Sequence, residues 1–362
     1  MRIGLLTGGG DCPGLNAVLR AVTKRLVLGH GAEVVGFEDG FLGLIERRAR
    51  PLTYRDASGI LALGGTILGT SNRANPFDFY GADGADVSDE ALAYARDLGL
   101  SALVVVGGDG TMQIAHGLGA KGLRVVGIPK TIDNDLAGTD RTFGFDTAVA
   151  IAAEALDRLH TTAQSHHRVM IVETMGRYAG WIALHAGVAT GADVILLPEF
   201  PYDLDEVVRV CRAREAGGQR FTLISMAEGA HPEGGSLSVQ KIVEGSPDPI
   251  RLGGACQQLG GALEMHLQSE VRTTILGHVQ RGGTPTPYDR VLSTQFGVAA
   301  ADLAAEAAQG GRSGLMVALQ GDALTTVPLA EVAGKQRLVA ADDPLVRAAL
   351  GVGTSFGVAS FS

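Results

Sequence analysis

The chain has little of what would suit it to a membrane, a metal cluster or a nucleic acid. Its 362 residues include only three cysteines, Cys12, Cys211 and Cys256. They are too few for a disulfide framework and too far apart for a metal-type pair, so free thiols in a reducing cytoplasm are expected. No apolar run approaches the roughly 20 residues of a membrane span. Met1-Arg2 leads straight into an apolar segment, so no signal peptide is expected and a soluble, cytoplasmic chain is the reading. Positive charge is also short: 30 Lys and Arg against 39 Asp and Glu leave a formal charge of −9. An acidic surface argues against non-specific nucleic-acid binding, and phosphate ligands must then be held by local clusters of basic groups and backbone N–H. Only 19% of residues are charged while 46% are hydrophobic, which excludes a disordered chain. Glycine, by contrast, is abundant at 52 residues, and without a triplet period that abundance is neither collagen nor a linker.

Strand-like and helix-like segments alternate along the chain. Apolar runs over 3–6, 33–36, 102–106 and 123–128 read as strands, with helical patterns over 15–28, 58–63, 88–98 and 112–120. A long helix follows over 146–163. Strands over 168–173, 194–197 and 221–227 then alternate with helices over 180–189 and 204–216. Helices over 255–267 and 288–309 and strands over 273–276 and 314–319 complete the pattern. This order predicts parallel sheets covered on both faces, in two α/β domains. The Gly-, Asp- and aromatic-rich stretch 74–87 and the Gly-, Pro- and Ser-rich stretch 229–254 read as loops. The tail from Gly351 carries no signal.

Five segments carry chemistry. The turn Thr7-Gly8-Gly9-Gly10-Asp11-Cys12-Pro13-Gly14-Leu15-Asn16 joins a strand to a helix, where glycines and a helix N-terminus admit a phosphate. It is neither a Walker P-loop nor a dinucleotide fingerprint, and a plain tight turn would look the same. Gly107-Gly108-Asp109-Gly110-Thr111 also follows a strand. Asp109 there suits a Mg²⁺ carried by a nucleoside triphosphate, and Thr111 is expected to cap the next helix. Pro129-Lys130-Thr131-Ile132-Asp133-Asn134-Asp135 sets two carboxylates two apart at a strand end, one of which could take a hydroxyl proton while Lys130 faces a phosphate. Arg168 and Met175-Gly176-Arg177 bracket a fourth strand, and Arg272 with Leu276-Gly277-His278-Val279-Gln280-Arg281-Gly282-Gly283 brackets a fifth. Arginines so placed suit a phosphorylated substrate. Taken singly, each has a bland alternative: a solvated arginine, a surface carboxylate, a structural histidine.

Taken in order, these segments resemble the bacterial-type 6-phosphofructokinases, from Gly4 to about Gly297. The resemblance implies two Rossmann-like three-layer α/β/α domains with the active site in the cleft between them. The expected division assigns 1–140 plus about 270–312 to the donor domain and 141–269 plus about 313–350 to the sugar-phosphate domain. By resemblance, Asp133 is the base that takes the proton of the fructose 6-phosphate 1-hydroxyl, Asp135 the second carboxylate, and Thr131 a substrate-binding hydroxyl. Asp109 matches the Mg²⁺ ligand. Gly10, Gly108, Gly110, Thr111 and Lys130 match the donor site, with Arg73 serving there despite the departure Leu68-Gly69-Thr70-Ser71-Asn72-Arg73. Met175, Gly176, Arg177 and Glu228 match sugar-site residues. Arg168, Arg272, His278 and Arg281 match the groups on the 6-phosphate, some reaching over from a neighbouring copy in a homodimer or homotetramer. The family includes ATP and pyrophosphate users. Gly110 leaves room for a nucleotide and points to ATP, whereas Lys130 points to pyrophosphate; Gly110 carries more weight because it changes the space available. A non-catalytic sugar-phosphate sensor and a lipid or NAD kinase are the other readings. The intact carboxylates weigh against the first, and the full motif set against the second.

Overall fold

Thirteen strands are found in the computed structural model, which describes residues 1–243 and 250–359. They are β1 (Arg2–Thr7), β2 (Glu33–Phe37), β3 (Ala49–Leu52), β4 (Ala102–Gly107), β5 (Val125–Pro129), β6 (Val169–Thr174), β7 (Val194–Leu196), β8 (Thr222–Ala227), β9 (Val239–Ile242), β10 (Ile250–Leu252), β11 (Val271–Ile275), β12 (Leu315–Gln320) and β13 (Ala323–Pro328). Seven form one sheet in the order β13-β12-β5-β4-β1-β2-β3, and four form a second in the order β11-β6-β8-β7. The second sheet is parallel throughout, and the first is parallel except at its edge strands β3 and β13. Strands β4 and β6 are buried along their whole length, which is why they read as continuous apolar runs rather than alternating ones.

Helices Leu15–His30 and Pro287–Ala308 cover one face of the larger sheet. Helices Ser88–Asp97 and Asp109–Ala120 cover the other. Helices Phe145–His166 and Trp181–Thr190 cover one face of the smaller sheet, with Leu204–Ala216 and Ala255–Glu264 on its far side. One apolar cluster runs from the larger sheet through these inner helices to the smaller one, so the two sheets share a core. No helix among the described residues is long and apolar enough to cross a membrane.

Several expectations change. No helix forms over 58–63, where positive φ at Gly59 and Gly65 breaks the backbone path. The loop expected over 229–254 contains the β9–β10 hairpin, and residues 244–249 of it lie outside the described residues. Thr111 does not cap its helix: the helix already begins at Asp109, and the Thr111 side chain fills space against Gly8 and Gly107. The expected division of the chain also needs correction. Strand β11 extends the smaller sheet, with Val271 opposite Val169, while β12 lies beside β5 in the larger one. The reverse was expected for both, because chain order does not say which neighbour a strand pairs with. In the tail, for which the sequence offered no signal, Ser355 bridges to Val194 at the edge of the smaller sheet.

The two inner helices are tied at their N-termini. Buried Asp289 accepts from the Thr147 backbone N–H at 2.8 Å and its hydroxyl at 2.6 Å, and the Thr286 hydroxyl donates to Asp146 at 2.5 Å. Asp289→Ala would strand the Thr147 N–H in a buried setting, so it should cost roughly 1–3 kcal/mol in urea unfolding. Asp289→Asn keeps one acceptor and should cost less.

Candidate active site

In the larger sheet the chain leaves β1 for β2 on one side and later returns to β4 on the other. The turns after β1 and β4 therefore diverge, which opens a crevice at the strands' C-terminal ends. A cavity of about 560 Å³ lies there. It gathers Gly9 and Gly10 from the first turn, Gly108, Asp109, Gly110 and Thr111 from the second, and Lys130, Thr131, Asp133 and Asp135 from the segment after β5. Arg177 and Arg281 complete it from segments that follow strands of the smaller sheet.

The first turn is held by its carbonyls. Thr70 donates to the Gly9 carbonyl at 2.6 Å, Lys130 Nζ to that of Gly10, and Arg281 Nη1 to that of Asp11 at 2.9 Å. A Cβ on Gly10 would lie 2.8 Å from Arg281 Nη1, so a side chain there would displace the guanidinium. Lys130 is buried, and desolvation pulls its ammonium down to about 8. At Gly110 a Cβ would meet nothing within 4 Å, so the space before it is open to a ligand.

The Asp-x-Asp segment turns through Asn134, which sits at φ 54 and whose Oδ1 accepts from the Thr142 N–H at 3.0 Å. Asparagine tolerates that left-handed conformation, and the reversal lets both flanking carboxylates line the cavity. The Asp133 N–H donates to the Thr131 hydroxyl at 3.0 Å. Asp133 Oδ1 is buried and has no hydrogen-bond partner. Burial, and then the charge of Asp133, push the Asp135 carboxyl well above the usual range. Asp109 accepts from Gln113 Nε2 and from the Gly334 N–H, each at 2.7 Å.

After β6, Gly176 sits at φ 138 and Arg177 at φ 51. The sharp turn lets the Arg177 N–H donate to Glu228 Oε1 at 3.0 Å. Burial lifts the Glu228 carboxyl to about 7. Glu228, Met175 and Gly176 support this turn from outside the cavity lining.

Besides Met175, Gly176 and Glu228, four more expected residues are not brought into the cavity of the single chain. Arg73 is exposed and lies 4.5 Å from the centroid of the Tyr80 ring, while its neighbours Ser71, Asn72, Ala74 and Asn75 line the cavity. Arg168 and Arg272 both pair with Glu270, and His278 is exposed. Sequence reasoning missed Phe41, Asn75, Phe77, Gln113, Ile114, Gly117 and Gln336. The polar and aromatic run Asn72-Arg73-Ala74-Asn75-Pro76-Phe77 held a signal for some of them, whereas Gln336 has none nearby.

The chain is similar to known proteins along most of its length. A family profile described as Phosphofructokinase matches residues 2–304. An ATP-dependent 6-phosphofructokinase 2 of Clostridium perfringens is 50% identical over 362 aligned residues, covering 98% of each chain. A pyrophosphate–fructose 6-phosphate 1-phosphotransferase of Amycolatopsis mediterranei is 49% identical over 342 residues, covering 94% of this chain and 96% of its own. Among solved structures, phosphofructokinase from Saccharomyces cerevisiae matches with a TM-score of 0.76 and 33% identity over 91% of this chain. The match spans 45% of that yeast chain, so less than half of its length.

The Glu228 carboxyl generates a stability prediction. Its folded pKa, about 7, lies above the ordinary 4.5, so its contribution is fully present below about 4.5 and is lost as pH rises through 7. Glu228→Gln keeps an acceptor for the Arg177 N–H and removes the buried charge. Its Tm should exceed the wild-type value at pH 8, and the gap should close toward pH 5.

Proposed function

The chain belongs to the phosphofructokinase family, and from that membership and its cleft we propose that it moves the γ-phosphoryl of ATP to the 1-hydroxyl of fructose 6-phosphate. The products are fructose 1,6-bisphosphate and ADP, a step of glycolysis placed in the cytoplasm. The observation that carries this reading is Asp133 Oδ1, a buried carboxylate oxygen without a partner in a cavity shared with Asp109, Asp135 and Arg177. Such an oxygen calls for a donor, and a sugar hydroxyl is one.

In this reading Asp133 accepts the 1-hydroxyl proton as that oxygen bonds to the γ-phosphorus and the bond to the β-γ bridging oxygen breaks. Thr131 orients the hydroxyl, and Asp135 holds the turn's second carboxylate beside it. Arg177 stabilises the charge on the moving group. Gly10, Gly108, Gly110, Thr111 and Lys130 shape the donor side. Met175, Gly176 and Glu228 fix the Arg177 turn. Arg281, Arg168, Arg272 and His278 are assigned to the 6-phosphate. The exposure of the last two and the shared Glu270 fit a homodimer or homotetramer in which some of these groups serve a neighbouring copy.

A Mg²⁺ ion fits the residues present. Each Asp109 oxygen accepts one hydrogen bond and retains further lone pairs. Among the described residues no cluster of three or more His, Cys, Asp or Glu could hold a metal alone, so the ion would take the rest of its shell from phosphate oxygens and water. Bound there by Asp109, it would supply neutralising charge to the donor phosphates.

For the donor, ATP is favoured by the open space at Gly110 and by a cavity that continues past it to Phe41, Phe77, Ile114 and Gly117, an apolar region that pyrophosphate would not need. Lys130 is the observation on the side of pyrophosphate, and its ammonium is engaged by the Gly10 carbonyl. Asp133→Asn should lower kcat by about 10²–10⁴ with the Kd for ATP unchanged in calorimetry. A rate near that of wild type would remove Asp133 from the role of base. Gly110→Asp should raise the KM for ATP by about tenfold or more through like-charge contact, and raise that for pyrophosphate less.

A further inference from the structure

The segment 334–339 lies beyond the region matched by the family profile, yet it touches three parts of the site. The Gly334 N–H donates to Asp109 Oδ1 at 2.7 Å, and Gln336 Nε2 reaches Asp135 Oδ2 at 3.4 Å. Arg337 makes the most contacts. Its backbone N–H donates to the Asp135 carbonyl at 2.7 Å, and its Nη2 to the carbonyls of Asn134 at 2.9 Å and Asp140 at 3.1 Å. These are the carbonyls of the turn that aims Asp133 and Asp135. On its other side, Arg337 is locked to the smaller sheet's inner helix. Its carbonyl accepts from Trp181 Nε1 at 2.8 Å, and its guanidinium carbon lies 4.2 Å from the centroid of the Trp181 ring. Val339 continues the attachment: its N–H donates at 2.9 Å to Glu199, which also accepts from the Gly180 N–H.

We propose that residues 334–339 form a strap that sets the geometry of the catalytic turn, with Arg337 as its positioning residue. The inference rests on the phosphotransferase reading for its rate measurement, but not for its spectroscopic one. Asn134 must stay in a left-handed conformation for the two carboxylates to share the cavity. Arg337 holds the carbonyls that follow the turn's reversal, at Asn134 and Asp140, while being pinned itself to a helix of the other sheet. The strap therefore joins the Asp109 side of the site, the Asp133–Asp135 turn and the helix that follows Arg177.

Trp181 is the chain's single tryptophan and is buried, so its fluorescence reads the strap directly. Arg337→Met keeps an apolar stem over the indole but removes the donors to Asn134 and Asp140. Arg337→Lys restores the charge and a donor. In full-length protein, Arg337→Met should lower kcat about a hundredfold, with the KM for ATP and for fructose 6-phosphate within about threefold of wild type, as expected for displaced reacting groups. Trp181 emission should shift to the red and become more open to acrylamide, while Tm falls by no more than about 4 °C. Arg337→Lys should recover part of the rate and of the emission. An unchanged kcat in Arg337→Met would overturn the proposal, as would a lower rate explained by raised KM values alone, or unaltered Trp181 emission. Absence of wild-type turnover would count against the phosphotransferase reading instead, and the strap would then stand or fall on the emission.

Discussion

Three consecutive carbonyls of the turn after β1 each accept from a different distant segment: Gly9 from Thr70, Gly10 from Lys130 and Asp11 from Arg281. The rest of the site depends on this arrangement. It fixes a glycine turn, and it brings a residue that follows the smaller sheet against a turn of the larger one. Lys130 is placed in the interior at a cost, visible in the fall of its ammonium to about 8, and the Gly10 carbonyl offsets part of that cost. The lysine that would read from sequence as a ligand for phosphate is also a brace for the turn after β1.

The same economy governs the carboxylates. A two-residue spacing alone does not place both side chains in one cavity. Here a left-handed Asn134 between them does, supported by Thr142 from within the segment and by Arg337 from outside it. Burial, and then the Asp133 charge, raise the Asp135 carboxyl, and one buried Asp133 oxygen has no partner. An unpartnered buried carboxylate oxygen gains from a ligand that brings a hydrogen-bond donor.

Much of this was legible in the chain. The buried strands read directly, because two-sided burial demands unbroken apolar runs, and the glycine and Asp-x-Asp turns fall at their ends. The resemblance then pointed to half of the cavity residues, including Gly10, Asp109, Asp133, Asp135 and Arg177. What was not legible depended on pairing in space. Strands β11 and β12 each joined the sheet opposite to the one expected, since nothing local in Thr273-Thr274-Ile275 or Met316-Val317-Ala318 names a neighbour. Arg73 was expected in the cavity and instead lies over Tyr80, a contact set by the fold of its loop. Gln336 and Arg337 carry no motif, and only the folded chain brings them to the turn that carries Asp133 and Asp135.

Phosphoryl transfer from ATP to the sugar's 1-hydroxyl is the central claim. Purified protein with Mg²⁺, fructose 6-phosphate and equimolar ATP and pyrophosphate, followed by phosphorus NMR, tests it most directly. The account predicts a growing C1-phosphate signal of fructose 1,6-bisphosphate matched by ADP, with pyrophosphate retained. Loss of pyrophosphate with ATP intact, or no transfer from either donor, would contradict it.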